Sequence, residues 1–483
     1  MTTNKVREIY NMIFSTINYK KAVPFIVSLA LFMESLDTTI INTAIPAMSK
    51  SLHVNPVDLK IALISYLLSL AIFIPISGWV ADKYGIKRVF IIALFIFTVS
   101  SFWCGYTNNL TELVIARTLQ GLGGSHMLPL GRLFIVKTFE RHELINTMTR
   151  VVMVAALGMM LGPMLGGIIT HYLSWRWIFW VNIPVGFFTI LLGTLWLKES
   201  EPQPVKPLDF LAFIFFGTGL ATLTFSLSAF SESTISHTTS CLILLTSILL
   251  LLGYVWRSRK QKHPIVNASL FQYRTFSISI IGNLISRLGF GGVPFLIPLL
   301  LQVSFGYSPQ LSGILLAPTA LGVLLVKPFS LFILRLLGYK KLLIINTLLV
   351  SISIWTFSTI DIETPVIAIA ACTFIFGFLI ATQYSGMNSL AYAEVPHNQL
   401  SSATSLISTA QQLAQSFGVA VAALLIGFYT PDVTSSKYLL TSEVFHHTFI
   451  AMCVITLLTS VIFLNLKPND GGEMLKMPVA PSD

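Results

Sequence analysis

Pro75-Ile-Ser-Gly78-Trp-Val-Ala-Asp82-Lys-Tyr-Gly85-Ile-Lys87-Arg88 is a short basic turn set between two apolar runs, and the chain uses it twice. The second copy reads Pro328-Phe-Ser-Leu-Phe-Ile-Leu-Arg335-Leu-Leu-Gly338-Tyr-Lys340-Lys341. Proline, glycine and paired cations recur at a constant offset of 253 residues, and Ile91-Ile92 returns as Ile344-Ile345. In each copy a long apolar run ends at the glycine turn and another begins at once. A chain that repeats its own hairpin in two halves is organised about a pseudo-symmetry axis.

Composition says what surrounds those hairpins. Hydrophobic residues make up 54% of the 483, and charged residues only 10%. The mean hydropathy is +0.78. Soluble domains carry about 25% charged residues, so this chain is an all-α polytopic membrane protein. Apolar stretches long enough to cross about 30 Å of hydrocarbon recur along the whole length. They read as about fourteen spans, near 22–45, 57–80, 88–106, 111–136, 146–171, 176–197, 208–229, 238–257, 274–304, 311–337, 341–360, 364–390, 401–429 and 447–466.

The net charge of +10 follows from topology. With the N-terminus in the cytoplasm, nearly all Lys and Arg fall on that side, and the outer loops keep only Lys50, Lys60, Arg176 and Lys437. That bias predicts both termini in the cytoplasm and argues against nucleic acid as a partner. The first 21 residues, polar and basic, read as a cytoplasmic lead. Cys104, Cys241, Cys372 and Cys453 lie in apolar spans with no CxxC and no nearby histidine, so no metal site is expected.

The repeat divides the chain into an N-terminal six-helix bundle (1–200), two linker helices (201–271) and a C-terminal six-helix bundle (272–470). A disordered cytoplasmic tail (471–483) is expected to follow. Charged, proline-containing segments flank the linker pair, Glu199-Ser-Glu-Pro-Gln-Pro-Val-Lys-Pro and Arg257-Ser-Arg-Lys-Gln-Lys-His-Pro.

Gly78-x3-Asp82-x2-Gly85-x-Lys87-Arg88 resembles the signature loop of the major facilitator superfamily. Leu36-Asp37-Thr38-Thr39-Ile40-Ile41-Asn42-Thr43-Ala44-Ile45-Pro46 resembles its fourteen-span drug:proton antiporter branch. Span 4 adds Arg117-x2-Gln120-Gly121-x-Gly123-Gly124, and span 5 adds Gly158-x3-Gly162-Pro163-x2-Gly166-Gly167. Gly131-Arg132-Leu133, Trp175-Arg-Trp-Ile-Phe-Trp-Val-Asn-Ile-Pro-Val-Gly186 and Arg287-x-Gly289-x-Gly291 are most similar to the MdtD-type permeases. The resemblance implies a fold of two six-helix bundles plus two linker helices. It also implies proton-coupled export of small organic compounds across a bacterial inner membrane, with no cofactor beyond the proton gradient. A monomer whose partners are its substrate and the lipid bilayer is expected. No GxxxxGK[ST] segment is present to bind ATP, and no cluster of nucleophile, base or metal ligands suggests an enzyme.

Residue chemistry gives each motif a candidate role. Gly78 and Gly85 permit a sharp turn and close approach, while Lys87 and Arg88 hold the loop in the cytoplasm. Asp82 suits the exposed N–H groups of a facing helix N-terminus. By resemblance that helix starts near Ser401-Ser402, which makes Gly78, Asp82, Gly85 and Arg88 a conformational latch; a loop that only carries topology is the plainer alternative. Glu34 and Asp37 share a face of span 1 near mid-depth, where an unpaired carboxylate is costly and often functional. Asp37 and Arg117 lie at matching depths, about 10 Å below the outer ends of their spans at about 1.5 Å per residue. A pair there could carry protons or be fixed structure. Gly158, Gly162 and Gly166 form one smooth face and Pro163 a kink, for sealing the outer side or for simple tight packing.

Spans 9–14 contain no carboxylate, yet Arg287 and Lys327 lie inside spans 9 and 10. Arg287 occupies the repeat position of Glu34, so charge is reversed between the halves. A cavity with these cations would accept an anionic metabolite, such as an organic acid or siderophore; snorkelling or backbone contacts are the alternative. Asn42, Gln120, Gln383, Asn388, Gln411 and Gln415 could complete the cavity or join helices to one another.

Overall fold

The computed structural model describes residues 19–199, 205, 207–230, 236–261, 264–396, 399–430 and 440–472. Hydrocarbon offers no partner to a backbone N–H or C=O, so a chain this apolar satisfies them within helices. The first half contains α1 (Tyr19–Ile40), α2 (Lys60–Tyr84, tightened by a 3-10 turn at Ile74–Ile76), α3 (Ile86–Tyr106), α4 (Leu110–Thr138), α5 (Arg141–Tyr172) and α6 (Asn182–Trp196). Then come α7 (Phe210–Ala229) and α8 (His237–Ser258). The second half holds α9 (Arg274–Phe290), α10 (Pro309–Phe357), α11 (Val366–Leu390), α12 (Leu400–Tyr429) and α13 (Ser442–Leu458).

Local chemistry sets these boundaries. Asn109 caps α4 by accepting from the Glu112 N–H at 2.8 Å. Glu140 and Glu143 close a reciprocal capping box on α5. Ser308 caps α10 ahead of Pro309. The repeated turn is visible in the backbone: Gly85 has φ 92° and Gly338 has φ 68°, a region glycine enters without steric cost. Gly85 separates α2 from α3, and Gly338 bends α10 into two arms.

Twelve helical stretches among the described residues are long and apolar enough to cross a membrane. The sequence count of fourteen also included α4 and the arm of α10 beyond Gly338, which are not among the twelve. Arg117, Gln120, Ser125, His126 and a run of glycines make α4 too polar on average.

Helices α1–α6 pack on one another, as do α9–α13. The two groups meet along two seams, α5 against α10 and α2 against α12. The linker helices α7 and α8 lie over the second seam, where Phe216 and Tyr254 pack with Leu68 and Ile72 of α2 and Leu413 of α12. Asp209 and Arg257 tie the linker pair together at 2.7 Å.

The buried cores are unequal at the two ends. At the end away from the basic loops, one continuous core takes Ile40, Ile45 and Leu63 from the first half and Phe290, Leu296 and Phe376 from the second. Towards the basic loops the main cores are separate, one drawn from α1–α6 and two from the second half, with only the small cluster under the linker helices touching both.

The closed end is a contact of bare backbone. Gly167 of α5 lies against Pro309 and Gly313 of α10, and a Cβ at Gly313 would sit 2.5 Å from the Pro163 carbonyl oxygen. Nearby, α1 tightens into a 3-10 turn (Ile41–Thr43) and the segment after α9 widens into a π-turn (Leu300–Ser304). Gln302 Nε2 of that π-turn donates to the Thr43 carbonyl at 2.9 Å, across the two halves.

The chain from Lys467 to Gly472 folds into a turn, so the expected tail disorder does not hold for Gly471 and Gly472. Asp470 pairs with Arg274 at the start of α9 and accepts from the Lys467 N–H at 2.7 Å. Gly471 turns with φ 73° and packs on Tyr339 and Leu390. The remainder of the tail, residues 473–483, lies outside the described residues, as do residues 1–18.

Replacing Gly313 by valine is expected to force the α5–α10 contact apart. A cysteine introduced at Asn42, in a background without native cysteines, should then react with a membrane-impermeant maleimide several-fold faster from that face. An unchanged rate would show that the glycine contact does not hold this end shut.

Candidate functional site

Asp37 shares the buried face of α1 with Met33 and Ile40, each 0% exposed. Its Oδ2 accepts from Arg117 Nη1 at 2.6 Å. Its Oδ1 accepts from Gln120 Nε2 at 2.8 Å and from Asn182 Nδ2 at 2.9 Å. Gln120 Oε1 accepts from the same Arg117 nitrogen at 2.7 Å, and its amide also donates to Ser101 Oγ at 2.8 Å. The Arg117 Nε reaches the Ala62 carbonyl at 3.4 Å, and the Tyr66 ring lies 4.1 Å from the guanidinium carbon. The pairing expected from matched depth is therefore present, within a network that spans α1, α2, α3, α4 and α6.

Glycines let the helices come this close. Gly121 of α4 lies on the Tyr66 carbonyl and Ser69 of α2, and Gly123 on Ala93 and Phe97 of α3. Gln120 belongs to this buried network and does not line a cavity. Sequence reading missed Asn182 and Ser101. The signal for Asn182 was available, an amide alone in the apolar run Trp-Val-Asn-Ile-Pro, where a carboxylate partner across the bundle accounts for it.

Glu34 stands apart from this network. It is half-buried on α1, and among the described residues its carboxylate has no hydrogen bond or ion pair. Arg132 of α4 is the cation whose charge acts on it, from beyond contact distance. Asn42, in the 3-10 turn, is half-buried, and its side chain makes no hydrogen bond among the described residues.

The glycine motif of α5 divides between two neighbours. Gly158, Gly162 and Gly166 lie on Phe32, Thr39 and Ile40 of α1, while Gly167 faces α10. Thr39 and Thr43 of α1 donate to the Met159 and Pro163 carbonyls, each at 3.3 Å. Pro163 leaves α5 continuous and turns its carbonyl to both Thr43 and Gly313. One helix thus touches the acid-bearing helix with one face and the opposite half with another.

In the second half, Arg287 is half-buried and contacts neutral groups alone among the described residues. Its Nε donates to Asn283 Oδ1 at 2.8 Å and its Nη1 to Gln415 Oε1 at 3.0 Å. The Tyr384 ring covers it at 4.0 Å. Gln415 is braced by the Gly291 carbonyl, and Gln411 donates to Asn388 Oδ1 at 2.7 Å beside Asn283. Arg287, Gln411, Gln415 and Asn388 therefore form one polar patch. Gln383 does not join it; fully buried, it bridges α11 to Asn346 and Thr347 of α10. The side chain of Lys327 lies outside the described residues.

The latch loop places Gly78 in open space and Gly85 at the turn. Lys87 Nζ donates to the Thr194 carbonyl of α6 at 2.7 Å, and Arg88 is exposed. Asp82 has no hydrogen-bond or ion-pair partner among the described residues, and the side chain of Ser401 lies outside them. The expected contact between Asp82 and Ser402 is not made in this conformation.

Asp37→Leu leaves Arg117 charged, buried and unmatched, which costs about 3–5 kcal/mol. Thermal unfolding of the detergent-solubilised protein should show a large loss for Asp37→Leu and for Arg117→Leu. The double variant should lose much less than the sum.

The Major Facilitator Superfamily model matches residues 27–271 and 279–476. A protein from Enterobacter sp. (strain 638), assigned by its name MdtD to multidrug resistance, is 36% identical over 449 residues, covering 93% of this chain and 95% of its own. The MdtD protein of Escherichia coli (strain K12) is 35% identical over 446 residues, covering 92% and 94%. A solved D-xylose-proton symporter shares the fold at TM-score 0.67 and 14% identity, covering 94% and 99%. The chain belongs to the major facilitator superfamily, and is a multi-span membrane transporter and not an enzyme.

Proposed function

We propose that this protein is a proton-coupled exporter of small organic compounds that works by alternating access in a bacterial inner membrane. The observation that carries this reading is the unequal packing of the two ends, one core shared by both halves at the far end and separate main cores towards the basic loops. A carrier closed on one side has this form. The positive charge bias puts the basic loops and both termini in the cytoplasm, so the closed end faces outward. In this reading α4 and the second arm of α10 also cross the bilayer, giving fourteen spans: six in each bundle and two in the linker. The protein works as a monomer.

Relatives named for multidrug resistance support organic compounds as the substrate class. Arg287 favours a second reading, export of an anionic metabolite such as an organic acid or siderophore. Its guanidinium is held by neutral partners, and the helix interiors of the second half offer no carboxylate to neutralise it. Glu34, Asp37 and Arg117 supply the proton-coupling chemistry on the other wall, and Asp82 would latch the cytoplasmic side when that side closes.

Reconstituted vesicles test both readings together, with ethidium and a fluorescent organic carboxylate as probes. A pH gradient should accelerate transport several-fold. Losing a charge-assisted contact worth about 1.5–3 kcal/mol, Arg287→Gln should lower the ratio of carboxylate to ethidium transport by about 10- to 100-fold. An unchanged ratio would remove the anion reading. Rates independent of the pH gradient would remove proton coupling.

A further inference from the structure

Proton coupling as proposed above draws on two acids of α1, and their geometry separates them. We infer that Glu34 takes up and releases the proton, and that Asp37 is a fixed anchor that holds α1 to its neighbours. This assignment rests on the proton-coupled reading and names the group that performs it.

Asp37 is held in place by three side chains of neighbouring helices. Both of its oxygens are engaged by three donors, one of them the Arg117 guanidinium at 2.6 Å, and both partners are 0% exposed. Losing those contacts would strand a buried cation. The lock also binds α1 to α3, α4 and α6, so releasing it would dismantle the half that must move as a unit.

Glu34 has the complementary properties. It lies one turn before Asp37, half-buried, and no contact of its carboxylate would break on protonation. Apart from Glu34 and Asp37, no Asp or Glu among the described residues lies in a helix interior; the rest sit in loops or terminal turns. The charged and titratable groups facing it are Arg132 of α4, Asp37 of α1 itself and Tyr66 of α2. Of the other elements packed on α1, neither α6 nor the short helix Trp177–Trp180 has an ionisable residue, and α5 has none between Arg150 and His171.

The step is a simple exchange. One proton passes from water to a Glu34 oxygen, neutralising it, and returns to water once access has switched. Arg132 lies out of contact. Glu34 also stands on the helix held by Gly158, Gly162 and Gly166, so its charge state acts on the same rod that reaches the closed end.

Infrared difference spectroscopy of the purified protein reads this without a transport substrate. The wild type should show a carboxyl C=O band that grows and fades as the pH is stepped. Glu34→Gln should remove it, Glu34→Asp should shift its midpoint, and the neutralised pair Asp37→Asn/Arg117→Gln should retain it. Melting curves identify any variant that fails to fold, and the midpoint shift in Glu34→Asp then decides. The assignment is overturned if the wild type lacks the band, if the band survives Glu34→Gln, or if it vanishes only in the pair variant. If the band follows Glu34 but wild-type vesicles move ethidium equally with and without a pH gradient, the proton-coupled reading fails and the titrating group stands.

Discussion

A guanidinium buried among apolar helices must find its counter-charge inside the protein, and Arg117 draws the first half of the molecule together to do so. Asp37 neutralises it, while Gln120, Asn182 and Ser101 satisfy the oxygens and amides that the pair leaves over. Such a network adds little net stability when complete, but removing one member is expensive. Its consequence is mechanical. Five helices that share one set of hydrogen bonds in a dry interior resist sliding past one another.

The interface between the halves is built on the opposite principle. At the closed end, glycine and carbonyl surfaces of α5 and α10 touch without an ion pair, and one hydrogen bond crosses from Gln302 to the Thr43 carbonyl. Apolar side chains are as comfortable against lipid tails as against each other, so helix association in a membrane depends on close van der Waals fit. A fit of this kind is lost over a short separation and recovered by returning to it. Rigid interiors with a breakable seam are what a rocking motion needs. The linker helices, which pack on both α2 and α12, stay beside the second seam.

Much of this could be read in the residues, and the exceptions have physical causes. The repeated turn was legible because Gly85 and Gly338 are each forced into positive φ, and no other residue serves there as cheaply. The Asp37–Arg117 pair was legible because depth follows from residue count. Lateral position does not, so Gln120 and Gln383 were assigned to a cavity although one belongs to the ion pair and the other bridges α10 and α11. Polar α4 reads as a span by position between loops, whereas its average hydropathy falls short. The order of Gly471 and Gly472 was not legible, because it depends on the distant Arg274 that holds the adjoining Asp470.

The central claim is that two rigid halves exchange which end is closed. Pulsed spin-label distances across both seams test it most directly, with one pair joining the outer ends of α5 and α10 and another the inner ends of α2 and α12. A third pair, on α1 and α4, serves as an internal reference. On changing pH or adding a transported compound, the outer distance should lengthen as the inner one shortens, with the α1–α4 distance constant. Outer and inner distances that change together, or an α1–α4 distance that moves with them, would contradict the account.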